Sequence, residues 1–216
     1  MLTLYTYFRS SAAFRVRIAL NLKNLPWRPE VIWLPTGEQA GPAYQAVNPQ
    51  ALVPTLVEDG HHIAQSMAII EYLDETHPEP PLLPVGPRDR ARVRSLAQLV
   101  ACDIHPVNNL RILKYLKREM DQTQEAIDNW YRHWCVEGLA SYERQLGDGG
   151  AGNFSHGSQV TLADICLVPQ IFNAQRFEVD LGPFPKLTAV FDHCMALPAF
   201  DAAQPSKQPE AARAQA

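Results

Sequence analysis

No run of apolar residues in this chain approaches the roughly 20 that a membrane-spanning helix needs, and Met1-Leu2-Thr3 opens without the pattern of a signal peptide. The expectation is a cytoplasmic protein without a membrane partner. An excess of positive charge is also missing. The 19 Lys and Arg residues stand against 23 Asp and Glu, for a net charge of −4, whereas a basic domain is the usual footprint of nucleic-acid binding. Cysteine is sparse: Cys102, Cys135, Cys166 and Cys194 lie far apart and never form CxxC. That spacing excludes a disulfide frame or zinc site and reads as buried, reduced thiols. His61 and His62 have no partners at metal-ligand spacing, so no metal is assigned. Proline is the one abundance, but its eighteen residues cluster between strongly periodic segments and do not signal disorder.

The periodic segments change character once. Leu2 to Tyr7 alternates as a half-buried strand, and a helical pattern follows with Phe14, Ile18 and Leu22 on one face. Asn24-Leu-Pro26 ends it. Trp27 to Leu34 reads as a second strand, with Pro29 placing it at an edge or itself among the opening residues, and Pro35 to Gln45 as a loop. Val53-Pro54 immediately precedes a third strand, Gly60 turns it into a short fourth around His62-Ile63, and Gln65-Ser66 opens a helix. This is a compact α/β unit over residues 1–79. The proline-rich stretch 80–87 is an extended linker. Beyond it the period is helical throughout, so 88–203 is an all-helical domain, with a frayed tail at 204–216. Pro106 kinks the first long helix, which resumes from Leu110 to Arg118. Thr161-Leu-Ala-Asp164 has the form of a capping box, and the last helix spans about Lys186 to Leu197.

The densest signal is Tyr5-Thr-Tyr-Phe-Arg-Ser-Ser-Ala-Ala-Phe-Arg-Val-Arg-Ile-Ala-Leu20. Ser10 or Ser11 falls where the N-cap of the first helix belongs. Hydroxyls at the positive end of a helix, beside Arg9, suit an anion or a thiolate. The plainer reading is a capping serine and nothing more.

The arrangement resembles the cytosolic glutathione transferases, with a thioredoxin-like first domain and a helical second. The residues Tyr7 to Leu20 resemble the zeta-class signature, and Leu52-Val-Pro-Thr-Leu56, Gln65-Ser-Met-Ala-Ile-Ile-Glu-Tyr-Leu73, Asp103-Ile-His-Pro-Val-Asn-Asn109, Thr161-Leu-Ala-Asp164 and Asn173-Ala-Gln-Arg-Phe-Glu-Val-Asp-Leu181 continue the match in order. The family often carries Cys after the paired serines, where this chain has Ala12, so the thiol at this place is that of glutathione. The resemblance implies a glutathione-dependent cis–trans isomerase of maleylacetoacetate-type dicarboxylates in aromatic catabolism. The alternatives are the same chemistry on maleylpyruvate, or transfer of glutathione to small halogenated acids. A non-enzymatic glutathione-binding interaction module is the reading from another class, and the retained serines, Arg9 and Arg176 argue against it.

The resemblance also implies roles. Ser10 or Ser11 donates to the glutathione sulfur, with Ser11 slightly favoured by its place nearest the helix. A free thiol with a pKa of about 8.5 is mostly protonated at neutral pH. Lowering it by two units requires about 2.7 kcal/mol. A charge-assisted hydrogen bond supplies about 1.5–3 kcal/mol and the helix end about 0.3–1, so no histidine base is needed. Val53-Pro54 is the place of a cis bond, and Val53 pairs with glutathione along the sheet edge. Gln65 and Ser66 hold the γ-glutamyl carboxylate at a helix start, and Gln39 reaches the glycine end. His105, Asn108 and Asn109 lie at the kink of the long helix, and the resemblance implies that His105 and Asn109 bond to glutathione near the interface of a homodimer; the plainer reading is a kink with local caps. Arg176 clamps the substrate carboxylate, with Arg9 and Arg111 as further partners, because arginine supplies planar, bidentate pairs and lysine does not.

Overall fold

The computed structural model describes residues 1–214. The chain divides into two compact units, Met1–Pro81 joined by the residues from 196 onward, and Leu82–Met195.

In the first unit β1 (Leu2–Thr6) leads into α1 (Ser11–Leu22), which returns the chain to β2 (Trp27–Val31). β1 and β2 pair in parallel, from Leu2 against Trp27 to Thr6 against Val31, the pairing that requires a crossover such as α1. After the short α2 (Pro42–Gln45) come β3 (Thr55–Glu58), β4 (His61–Ala64) and α3 (Ser66–Thr76). Both hairpin partners are antiparallel, and the sheet order is β2-β1-β3-β4. Pro29 therefore sits on an edge strand, where its missing N–H breaks no ladder. β2 stops at Val31, short of the expected Leu34, because Leu34–Thr36 and Glu38–Ala40 coil into 3-10 turns around Pro35. The peptide bonds before Pro54 and Pro80 are both cis; the second carries no mark in the sequence.

α1 is buried all round from Ala13 to Leu20, Arg15 and Arg17 included. Its far end is secured by Lys23, whose side chain is fully buried. Lys23 Nζ donates to Asp74 Oδ1 at 2.8 Å, His77 O at 2.6 Å and Pro80 O at 2.9 Å. All three ammonium protons are thereby used, as a buried cation demands.

The second unit contains α4 (Pro87–Gln98), α5 (Leu110–Arg118), α6 (Gln124–Leu146), α7 (Leu162–Arg176) and α8 (Pro185–Met195). α7 is its centre, with every residue from Leu162 to Ile171 buried, the pattern of a helix surrounded by others. The expected capping box is present at Thr161 and Asp164. Asp164 also accepts the Ser155 N–H at 2.7 Å, so it organises the 147–157 loop as well as the helix start. Burial pushes its carboxyl above the usual range, against the pull of these donors. Arg92 of α4 donates to Ser155 O at 2.9 Å and Gln145 O at 2.8 Å, tying this helix to the same loop. Between α4 and the Pro106 kink the helix widens into a π segment, Leu99–Ile104, with His105 N–H bonded to Val100 O. Gly138 of α6 allows the close approach of this segment: a Cβ there would collide with Ile104 Cγ1.

Two expectations about the C-terminal part are corrected. The helix expected to run to Leu197 ends at Met195, because Pro198 holds the residue before it extended, and α9 (Pro198–Ala203) restarts beyond. α9 belongs to the first unit, where Asn21 Nδ2 donates to Ala199 O at 3.0 Å. The second unit therefore begins at Leu82, inside the stretch expected as linker, and ends before 203. The tail expected to be frayed forms 3-10 turns at Pro205–Lys207 and Pro209–Ala214, with Gln208, Glu210 and Ala211 buried. Its hold is both apolar and polar, since Ala211 packs on Tyr7 and Phe8 and Gln208 Nε2 donates to Ala202 O at 3.0 Å. Residues 215 and 216 of that expected tail lie outside the described residues.

Candidate active site

The start of α1 separates the two serines. Ser10 is the N-cap, and its Oγ accepts the Ala13 N–H at 3.2 Å. Ser11 is the first helical residue and only 5 % exposed. Its hydroxyl thus lies at the positive end of a twelve-residue helix without serving as the cap. The turn before it is braced by Ser10 N–H bonding to Tyr7 O at 2.9 Å. Arg9 is exposed, with its guanidinium 5.0 Å from the Phe8 ring centroid.

Three further segments of the first unit carry residues that the resemblance assigns to glutathione. Val53 packs on the Tyr7, Phe8 and Trp33 cluster and lies outside the ladder, since β3 pairing begins at Thr55. Its loop is held from below. Tyr44 Oη and Asn48 Nδ2 both donate to Leu52 O, at 2.7 and 2.8 Å, and both meet Thr55 Oγ1. Gln39 follows Trp33 on the 3-10 turn pinned by Glu38, whose carboxylate accepts the Trp33 N–H. The Gln39 Oε1 is buried and has no hydrogen-bond partner among the described residues, a costly state for an amide oxygen. Gln65, the N-cap of α3, has φ +72° and ψ 117°, a strained conformation for a side-chain-bearing residue. Its Nε2 donates to Gln50 Oε1 at 2.9 Å. Ser66 follows as the first, buried residue of α3 and accepts from Arg15 Nη1 at 3.3 Å.

The other sequence-predicted residues belong to the second unit. Asn109 caps α5, its Oδ1 accepting the Arg111 N–H at 3.1 Å, and its Nδ2 lies 3.4 Å from His105 Nε2. Asn108 is buried and donates to Tyr131 O at 3.2 Å. Arg111 is exposed on the first turn of α5. Arg176 ends α7, its guanidinium 4.9 Å from the Phe177 ring, which stacks on Tyr131 at 3.7 Å between centroids. Burial raises the Tyr131 phenol strongly, so the ring is a neutral support. Among the described residues no group of three His, Cys, Asp or Glu side chains could hold a metal ion.

Sequence reasoning passed over Arg15, Arg17 and the Tyr44–Asn48–Thr55 brace. The arginines had a signal. A helix apolar on every side from Ala12 to Leu20 leaves no exposed face, so its charges must be buried and bonded.

Two helix starts carrying serine hydroxyls, with a strand mouth between them that takes no part in the sheet, suit an extended peptide bearing anionic groups. The fold defines a thioredoxin-like domain followed by an all-helical domain. The family models for the glutathione S-transferase N-terminal and C-terminal domains match residues 9–76 and 137–198. The probable maleylacetoacetate isomerase of Vibrio cholerae is 45 % identical over 212 residues, covering 97 % of this chain and 98 % of that protein. The maleylpyruvate isomerase of a Ralstonia species is 45 % identical, covering 97 % and 99 %. A solved holo maleylpyruvate isomerase, described as a bacterial zeta-class glutathione S-transferase, superimposes with a TM-score of 0.95 at 45 % identity, over 96 % of this chain and 99 % of that one. The maleylacetoacetate isomerase of Anaeromyxobacter dehalogenans, solved with glutathione in its active site, gives 0.88 at 46 % identity over 98 % of both chains. The chain belongs to the glutathione S-transferase family, in its zeta class.

Proposed function

We propose that this protein is a glutathione-dependent cis–trans isomerase of a short unsaturated dicarboxylate of the maleylacetoacetate or maleylpyruvate type. The observation that carries the reading is Ser11, a nearly buried hydroxyl at the first turn of α1, left out of the capping role by Ser10. Relatives named for both isomerisations, at equal 45 % identity, support the substrate class, and a neighbour solved with bound glutathione supports the coenzyme.

The first unit's residues fit glutathione. The start of α3, at Gln65 and Ser66, offers free N–H groups to the γ-glutamyl carboxylate. Val53 offers an unpaired main chain to the cysteinyl residue, beside Pro54, and Gln39 has a buried amide oxygen in need of a donor at the glycine end. We assign His105 and Asn109 of the second unit to glutathione as well. Arg9, with Arg111 and Arg176, is assigned to the substrate's carboxylates.

When bound, glutathione supplies a thiolate that adds reversibly to the conjugated double bond, allows rotation and leaves unchanged. Ser11 donates its hydroxyl proton in a hydrogen bond to that sulfur, and the positive end of α1 favours the negative charge. Ser10 keeps the helix start in shape. Arg9 and Arg176 grip the carboxylates and stabilise the negative charge that develops on the substrate's carbonyl oxygen. A homodimer in the cytoplasm, serving aromatic catabolism, belongs to the same proposal. The four free cysteines support a reducing compartment.

A continuous ultraviolet assay on maleylacetoacetate and maleylpyruvate, with and without glutathione, tests the reading. Turnover that requires glutathione is expected with at least one acid. Turnover of neither, or turnover indifferent to glutathione, rejects it.

A further inference from the structure

Arg17 is fully buried on α1 and has no part in the binding or chemistry proposed above. Its guanidinium gathers the residues that lead into Arg9-Ser10-Ser11. Nη1 donates to Thr6 Oγ1 at 3.2 Å and to Tyr7 O at 3.4 Å, and Nη2 donates to Phe8 O at 3.1 Å. Tyr7 O also accepts the Ser10 N–H, so this one carbonyl joins the cation to the capping serine. From the other side of the fork, Nε donates to Ala203 O at 2.9 Å, at the end of α9.

The returning chain adds more. Glu210, only 6 % exposed, places a carboxylate in the field of Arg17, and its Oε1 has no hydrogen-bond partner among the described residues. Burial lowers Arg17 to about 10, while Glu210 acts to hold the proton on. Ala211 packs on Tyr7 and Phe8 in the cluster that includes Trp33 and Val53, and Arg213 lies 5.0 Å from the Trp33 ring centroid. The stretch 205–214 is thus built under the turn that carries the serines and under the residue proposed to pair with glutathione.

We infer that Arg17 is a positioning residue for the sulfur site, and that the C-terminal segment, through Ala203 and Glu210, fixes the Tyr7–Ser11 turn in its working geometry. The inference rests on the glutathione reading of that turn. A planar fork with donors at both ends reaches the turn and α9 together, and a lysine ammonium has a single nitrogen that cannot. Small misplacements of a reacting group are costly, so loosening this brace should be felt at the sulfur.

The test compares full-length Arg17→Lys and Glu210→Gln with the wild type in three measurements: the glutathione dissociation constant by calorimetry, the pKa of the bound thiol by thiolate absorbance, and the melting temperature. Arg17→Lys is expected to raise the dissociation constant about tenfold and the bound-thiol pKa by about one unit. Glu210→Gln, which keeps volume and loses charge, moves both in the same direction by less. A role confined to stability lowers the melting temperature and leaves both glutathione values at wild-type level, and that result overturns the inference. Should Arg17→Lys fail to fold, unchanged glutathione values in Glu210→Gln overturn it instead. Wild-type protein that binds no glutathione overturns the functional reading itself, and the inference with it.

Discussion

Ser10 Oγ accepts the Ala13 N–H at 3.2 Å, which makes Ser10 the cap of α1 and, on the proposed reading, leaves the sulfur to Ser11. Ser10→Ala removes a cap and is expected to destabilise the protein by about 1 kcal/mol, read in a denaturant melt, with turnover largely kept. Ser11→Ala removes the hydrogen bond to sulfur. It is expected to lower kcat/KM by about 10- to 100-fold with little change in the melt. The reverse pattern would make Ser10 the functional hydroxyl.

Gln65 holds φ +72° at the head of α3. Gln65→Gly relieves that backbone at no steric cost, so it is expected to stabilise the fold by about 1 kcal/mol. The same change deletes a side chain proposed to contact glutathione. Affinity should fall as the melting temperature rises, a combination that a purely structural residue would not produce.

Arg176 ends α7 over the Phe177–Tyr131 stack. Arg176→Lys keeps the charge and loses the planar fork. The expected outcome is a rise in KM for the dicarboxylate of about tenfold or more, with the dissociation constant for glutathione unchanged. Steady-state kinetics at saturating glutathione separate the two.

Cys135 is fully buried on α6, and burial pushes its thiol up from about 9 to about 11. In the unfolded chain it ionises near its ordinary value, while in the fold it stays protonated. Its contribution is therefore complete below about pH 9 and is lost as the pH rises through about 11. Cys135→Ser removes this titration, so its stability should fall less steeply with pH across that alkaline window. Equally steep curves for both proteins would show that another group governs it.

The strand and helix order was legible because α3 and α4 carry helical periods, with Ile69, Ile70 and Leu73 and with Val93, Leu96 and Ala97 inward, and the β3–β4 hairpin turns at Gly60, with φ +81°. The Thr161–Asp164 capping box could be read for a similar reason: a cap is local chemistry, decided within four residues. The fate of 205–214 was not legible. A short stretch rich in Ala, Gln and Pro looks frayed, and what holds it is the Tyr7–Phe8 surface, some two hundred residues away in sequence, together with the bonds of Gln208 back to Ala202 and Gln204. Which of Ser10 and Ser11 caps α1 was hidden for a different reason. It depends on which residue turns from extended to helical backbone, a matter of one position at a helix boundary. The buried state of Gln39 Oε1 belongs to the same class, since only the packed loop takes water away from it.

The account turns on an ionised sulfur stabilised by Ser11, and the most direct measurement is a pH titration of thiolate absorbance for glutathione bound to wild-type protein and to Ser11→Ala. The predicted result is a bound-thiol pKa of about 6.5 in the wild type, two units below the free value of about 8.5, returning most of the way in the variant. A wild-type value that stays near 8.5, or a lowered value that Ser11→Ala leaves in place, would contradict it.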